Sequence, residues 1–351
     1  MSSIGEVICE RQGSAGIVTL NRPAALNALT LGMVREMRKA LDAWAGDPAV
    51  TRIVVTGAGE KAFCAGGDVR RLHDLGKAGE KAEALVFWRE EYQLNTLIKR
   101  YPKPYISLID GICMGGGVGL SLHGTYRVAG SRYLFAMPEV GIGFFPDVGG
   151  TYALPRLSHR AGMYLALTGE RLRLADGVLL GLVTHAAASE AMPEIKEALS
   201  AGGPVGDILA RYSIDPGAAP LQPHLPLIEE CFSGDSVGEI LDRLDRAAAT
   251  GSEFVERTAA TMRTKSPTSL RLAFEQVRRG GSLTFEEAMQ LEFRMVSRII
   301  DDHDFYEGVR AALVDKDGKP VWKPATLDAV EAEMIERHFA PLPPGDELKV
   351  I

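Results

Sequence analysis

A chain of 351 residues with a formal charge of −7 can bury a large core and lacks the clustered Lys and Arg of a nucleic-acid surface. Hydrophobic content of 46% and charged content of 24% are those of an ordinary globular protein, not a disordered or fibrous one. Four scattered cysteines (Cys9, Cys64, Cys113, Cys231), with no C-x-x-C pair, indicate neither a disulfide framework nor a zinc site and fit a reducing compartment.

The first residues, MSSIGEVICERQG, have no apolar signal core and no Arg-rich transit pattern, so the cytoplasm is the expected location. Residues 6–10 and 17–20 flank Gly13-Ser14-Ala15-Gly16 and predict a β-hairpin with a glycine turn. The loop NRPAALNALT leads to a helix from Thr30 to about Ala45, with Met33, Val34, Met37, Leu41 and Trp44 at helical spacing and Gly46 as its stop. A short apolar strand follows at 52–56. Gly57-x-Gly59-x-x-Ala62 superficially matches a dinucleotide-binding turn, but FCAGG intervenes where a helix should open directly.

A helix over 80–99 places Ala84, Phe87, Trp88, Leu94 and Ile98 on one face, and Glu91 and Asn95 fall on that same face. Glu90 lies a step round, where a solvated carboxylate is expected. A carboxylate on an apolar stripe needs either an ion-pair partner or a job.

The stretch YISLIDGICMGGGVGLSL (105–122) is the most apolar run, but Asp110 and five glycines make it a poor membrane span. It reads as a buried strand, a turn at Asp110-Gly111, and a glycine cluster opening a helix. Such a cluster lets backbone approach a ligand closely and leaves unpaired amides for a phosphate or a developing oxyanion. The alternative is a glycine-lined packing contact between strand and helix.

Beyond a strand at 133–137, Glu139 follows Pro138 and Asp147 follows Pro146, which stiffens the backbone at both carboxylates. They bracket an apolar loop and either face one pocket, where desolvation raises a pKa, or act as a loop cap and a helix N-cap. Residues 172–182 and the Ala-rich region to 201 read as helical. Ser266-Pro267 is a helix start, 285–300 is strongly amphipathic, and DKDGKP at 315–320 is a turn rather than a calcium loop.

Taken in order, NRPAALNAL, KAFCAGGDV, DGICMGGGVGLS and MPEVGIGFFPDVGGTYALPRL resemble the enoyl-CoA hydratase/isomerase (crotonase) superfamily. REEYQLN, FPDVGG, KSPTSL and HDFYEGVRAALVDKDGKPVWKP are similar to its 3-hydroxyisobutyryl-CoA hydrolase branch. The resemblance spans nearly the whole chain. It implies an α/β fold, a spiral of ββα turns with two near-perpendicular sheets and a helical C-terminal part. The corresponding division is a core over 1–201, a connecting segment over 202–235 and a helical region over 236–351.

The resemblance also implies hydrolysis of the thioester of 3-hydroxyisobutyryl-CoA, as in valine catabolism, with 3-hydroxypropionyl-CoA as a further substrate. It places an oxyanion hole at the backbone N–H groups of Gly67 and Gly116 and catalysis at Glu139 and Asp147. Glu91 lines the acyl pocket, and Arg22 and Lys61 are candidates for binding CoA. No metal or other cofactor is expected, CoA arrives with the substrate, and homo-oligomers are common in the superfamily. Hydratases carry a second glutamate where this chain has Gly119, which favours hydrolysis. The alternatives are an enoyl-CoA hydratase/isomerase and a non-catalytic acyl-CoA- or RNA-binding relative.

Overall fold

The computed structural model describes residues 5–249 and 251–350. Among these residues ten strands form two sheets, and from β3 to β8 the chain feeds them alternately. The first sheet, in order β1-β2-β3-β5-β7-β10, is built from β1 (Val7–Gln12), β2 (Ala15–Leu20), β3 (Arg52–Gly57), β5 (Tyr105–Ile109), β7 (Tyr126–Ala129) and β10 (His185–Ala186). The second, in order β4-β6-β8-β9, takes β4 (Ala62–Cys64), β6 (Ile112–Met114), β8 (Leu134–Ala136) and β9 (Leu172–Arg173).

β1–β2 and β8–β9 pair antiparallel, and every other pair is parallel. Each of three successive turns thus gives one strand to each sheet, β3 then β4, β5 then β6, β7 then β8. Strand ends and loops from sequence-distant turns are brought to one seam.

The helices between strands follow the expected signals. Helix α1 (Leu31–Ala45) starts at Thr30, whose side chain accepts from the Met33 amide, and buries Met33, Val34, Met37 and Leu41. Asp68 caps α2 (Val69–Lys77) by accepting from Arg71 N–H. Helix α3 spans Lys81–Lys99, and α4 spans Gly116–Ser121. α2 has no long apolar period, and β6, β7, β9 and β10 are two to four residues long. Periodicity cannot resolve strands that short.

The first sheet lies between two cores. On β3, Ile53 and Val55 face the main core while Val54 faces the second. On β5, Tyr105 and Ile109 face the main core while Ile106 and Leu108 face the second. Strand alternation produces this two-sided burial. The second core is closed by helices Met192–Ala201 and Val205–Tyr212, which contribute Ile195, Leu199, Ile208 and Leu209.

Residues 202–235, expected as a connection, therefore carry helices Val205–Tyr212 and Leu225–Cys231. Gly202, Gly203 and Pro204 act as a stop and a start between two packed helices. Residues 172–182 divide into β9 and the helix Leu174–Leu179. Farther on, helices Pro267–Gly280 and Phe285–Ile299 are capped by Ser266 and Thr284 and pack against the site described next. The 315–320 turn is held by Arg310, which donates to Asp315 and Asp317 at 2.7 Å each. Among the described residues, no helix is long and apolar enough to cross a membrane.

Candidate active site

A cavity of about 420 Å³ opens at the seam. Its lining includes Gly66, Gly67, Gly115 and Gly116, the carboxylates Glu91, Glu139 and Asp147, and the aromatic rings of Phe87, Trp88, Phe144 and Phe305. The glycines, Glu91, Glu139 and Asp147 thus come together from four separate stretches of chain.

Two of the glycines on this lining, Gly67 and Gly116, have main-chain amides left out of the local pairing. Leu29 N–H donates to Gly66 O, and Asp68 N–H donates to Leu29 O, which forms a parallel bridge between Leu29 and Gly67. In that pattern the flanking groups pair with Leu29 and the Gly67 N–H turns to the other side. Gly116 is the first residue of α4, so its N–H has no intrahelical acceptor. Among the described residues neither amide has a backbone acceptor. Both glycines sit close to their neighbours. A Cβ on Gly116 would stand 2.7 Å from Glu91 Oε1, and one on Gly67 would stand 3.2 Å from the Phe87 ring.

Among the described residues, no cation pairs with the buried carboxylates Glu91, Glu139 and Asp147. Glu91 is 2% exposed, and its Oε1 has no hydrogen-bond partner. The ion pair available to this part of α3 goes instead to Glu90, held by Arg35 at 2.6 Å on the outer face. The ion-pair explanation thus applies to Glu90 and not to Glu91.

Glu139 begins a 3₁₀ turn, Glu139–Ile142, and its Oε2 is also unpartnered. Burial, reinforced by Asp147 and Glu292, pushes the Glu139 carboxyl well above the usual range. Burial raises Asp147 to about 7, against the lowering effect of the hydrogen bond from Tyr92 and its own backbone amide. Glu91 is raised by burial and then by Asp147 and Glu292. Such a cluster cannot be fully ionised near neutrality, because each added charge disfavours the next.

Glu292, Tyr92 and Gln276 were not singled out as site residues by sequence reasoning. Glu292 is fully buried on Phe285–Ile299 and accepts the N–H groups of Gly149 and Thr151, each at 2.9 Å. Its carboxyl is raised to about 8 by burial and Asp147, less the effect of those amides. The detectable signal was a glutamate amid Ala288, Met289, Met295 and Val296 on the apolar face, the same anomaly that marked Glu91.

Arg22 and Lys61 do not line the cavity. Arg22 is committed to the Ala28 carbonyl at 2.6 Å and to Glu6 and Asp68, bracing the loop whose residues Ala25, Leu26 and Ala28 form the wall. Lys61 is an exposed residue beside β4. The cations on the lining are Arg70 and Lys316.

At Gly119, a Cβ would stand 2.7 Å from Val148 Cβ and 2.8 Å from Asn95 Nδ2, so Val148 and Asn95 fill the room a side chain there would need.

The pattern of the enoyl-CoA hydratase/isomerase family matches residues 15–339. The protein named 3-hydroxyisobutyryl-CoA hydrolase, mitochondrial, from Xenopus laevis is 45% identical over 348 residues, which is 96% of this chain and 89% of that protein. Its Homo sapiens counterpart is 45% identical over 351 residues, 97% of this chain and 90% of that protein. Among solved structures, a carnitinyl-CoA dehydratase from Mycobacterium thermoresistibile matches with TM-score 0.93 and 42% identity over 99% of each chain. An enoyl-CoA hydratase from Rhodobacter sphaeroides matches with TM-score 0.91 and 38% identity, covering 98% of this chain and all of that one.

The mitochondrial names of the curated relatives overturn the cytoplasmic expectation. Compartment addresses are read by receptors and leave no mark on the packed fold, so the pattern of the first residues and the cysteine count could not carry that inference. With the family pattern running through most of its length and hydrolases at 45% identity across nearly all of it, the chain belongs to the enoyl-CoA hydratase/isomerase (crotonase) family, in its 3-hydroxyisobutyryl-CoA hydrolase branch.

Proposed function

We propose that the protein hydrolyses the thioester of 3-hydroxyisobutyryl-CoA to the hydroxy acid and free CoA, a step of valine degradation. One observation carries the reading: two buried carboxyls, Glu139 and Asp147, share a single cavity with two unpaired glycine amides.

In this reading the thioester oxygen lies between the N–H groups of Gly67 and Gly116. Attack at the carbonyl carbon turns that oxygen into an oxyanion, and preorganised donors in a low-dielectric cleft stabilise it. Each such donor is worth about 3–4 kcal/mol of barrier. Glu139 in its ionised form either takes a proton from the attacking water, with the C–S bond then breaking to release CoA, or attacks the carbon itself, expelling CoA as its thiolate and giving an anhydride that water then opens. Asp147 takes the substrate's 3-hydroxyl or shares in proton handling, and Glu91 closes the acyl end. The CoA phosphates would meet Arg70 and Lys316, which line the cavity, rather than Lys61. No step calls on a metal or redox group. Self-association of copies of this chain belongs to the same reading by analogy with the superfamily.

The rival reading is hydration or dehydration, the activity named for the two structural neighbours. Against it stands Gly119, which has no side chain to supply a second acid and is crowded by Val148 and Asn95. A DTNB screen of hydroxyacyl-CoA thioesters tests the proposal. Thiol release from 3-hydroxyisobutyryl-CoA supports it, whereas robust hydration of crotonyl-CoA with no thiol release overturns it.

A further inference from the structure

The turn from Pro146 to Thr151 is gripped by buried side chains from three helices and from His123, just past a fourth. Gln276, on Pro267–Gly280, donates through Nε2 to the Pro146 carbonyl at 2.5 Å and to Thr151 Oγ1 at 2.7 Å. Tyr92, on α3, donates to Asp147 Oδ2 at 2.9 Å. His123, just past α4, meets the Val148 carbonyl at 2.7 Å through Nε2. Burial lowers that imidazole to about 4, so it is neutral, and because a carbonyl only accepts, Nε2 carries the proton. Glu292 holds the amides of Gly149 and Thr151.

The backbone at the centre of this grip is strained. Val148 has φ +50°, a conformation that a β-branched residue adopts at a cost of about 1–3 kcal/mol. Gly149 has φ +91°, and a Cβ there would stand 2.4 Å from His123 Nε2. Strain of this kind persists only where the surroundings over-determine it, and it directly follows Asp147 in sequence.

Glu292 is the costliest member of the grip. It is fully buried, it has no ion-pair partner among the described residues, and the titratable groups coupled to it are Asp147, Glu91, Glu139 and Tyr92. An apolar side chain would fill the position on this helix without the desolvation penalty. What a hydrocarbon could not do is accept two amides from the turn.

We infer that Glu292 is a positioning residue: through the Gly149 and Thr151 amides it fixes the strained turn that aims the Asp147 carboxyl into the cavity, with Gln276 as a second grip. The inference rests on the reading that Asp147 serves thioester hydrolysis.

The test is a double-mutant cycle between Glu292→Gln and Asp147→Asn, read as kcat and KM for thiol release, with Glu292→Leu as the variant that removes both acceptors. Misplacing a working group by about 1 Å costs on the order of 10²-fold. Glu292→Gln, which keeps one acceptor oxygen, should therefore lower kcat by about 10-fold or more with KM within about threefold. On the Asp147→Asn background it should cost little further, because coupled groups are not additive.

An equal loss from Glu292→Gln on both backgrounds overturns the inference, and so does a loss that merely follows the unfolded fraction measured by thermal melting. Should the wild-type protein release no thiol from any hydroxyacyl-CoA, the proposed function fails by itself. The grip is then decided by hydrogen exchange: slow exchange of the Gly149 and Thr151 amides that persists in a folded Glu292→Leu protein overturns it, and its loss there supports it.

Discussion

Tyr92 donates its hydroxyl hydrogen to Asp147 Oδ2 across 2.9 Å, with both groups buried, which ties the fourth turn of α3 to a loop 55 residues away. The bond favours the ionised form of Asp147 and opposes the much larger effect of burial. Phe293 packs edge-on against the same tyrosine, centroids 6.4 Å apart, so the donor has little freedom to move.

Removing that donor should shift the pH dependence in a defined direction. In Tyr92→Phe the Asp147 carboxyl loses a stabiliser of its charged form, so its pKa rises above the wild-type value of about 7. If ionised Asp147 is the working form, the acid limb of kcat/KM moves to higher pH while the plateau changes little. A pH–rate series on the two proteins checks this, and superimposable acid limbs would count against a role for the ionised form.

Glu139→Gln keeps the shape of the side chain and removes both its basicity and its nucleophilicity. Loss of a general base or acid typically costs about 10²–10⁴-fold, so kcat should fall by about 10³-fold with KM nearly unchanged. Turnover equal to wild type in the DTNB assay would leave Glu139 with no part in the chemistry. For wild type, single turnover in ¹⁸O-labelled water separates the two routes, since label in the Glu139 carboxyl belongs to the anhydride alone.

Stability should run against activity at Asp147. Its pKa is raised on folding from the ordinary 3.8 to about 7, so the folded state binds the proton more tightly than the unfolded chain. The stabilisation from this group is full below about pH 4, falls as pH rises through the window from about 4 to 7, and is absent above it. Asp147→Asn removes the titration while retaining an acceptor for Tyr92. Relative to wild type, its Tm should gain on the order of 5 °C between pH 5 and pH 8. Calorimetry at the two pH values checks this, and a constant difference would mean that the Asp147 carboxyl is not raised on folding.

Gly119 tests the boundary with hydration chemistry. A Cβ there presses on Val148, the strained residue beside Asp147, so Gly119→Ala should destabilise by about 1–3 kcal/mol and slow thiol release. Gly119→Glu should lose hydrolysis without gaining hydration, because the new side chain has no room. Appreciable crotonyl-CoA hydration by that variant would show that Val148 and Asn95 yield more easily than their packing implies.

Much of this architecture was legible in the chain. Thr30, Gly46, Ser266 and the 3.6-residue period fixed the long helices, and Glu91 declared itself as a carboxylate on an apolar stripe. Strands of two to four residues left no period to read, and the helices within 202–235 were hidden by the Gly and Pro residues that separate them. At the site, the glycine cluster around 116 and the Pro-flanked acids 139 and 147 stood out locally, each with a structural alternative still open, while Gly67 entered only through the family resemblance. Glu292 was harder to find: its partners lie 141 and 143 residues away, so nothing near it in the chain marks the contact.

The origin of those partners bears on how the activity is partitioned along the polypeptide. The glycine amides and both acids come from the first 150 residues, yet two of the side chains that immobilise the Pro146–Thr151 corner arrive only with residues 276 and 292. A ribosome that has released the ββα spiral has therefore made the glycines and acids of the cavity without the side chains that hold their corner, and the Pro146–Thr151 turn is completed only late in synthesis, when the last helices dock.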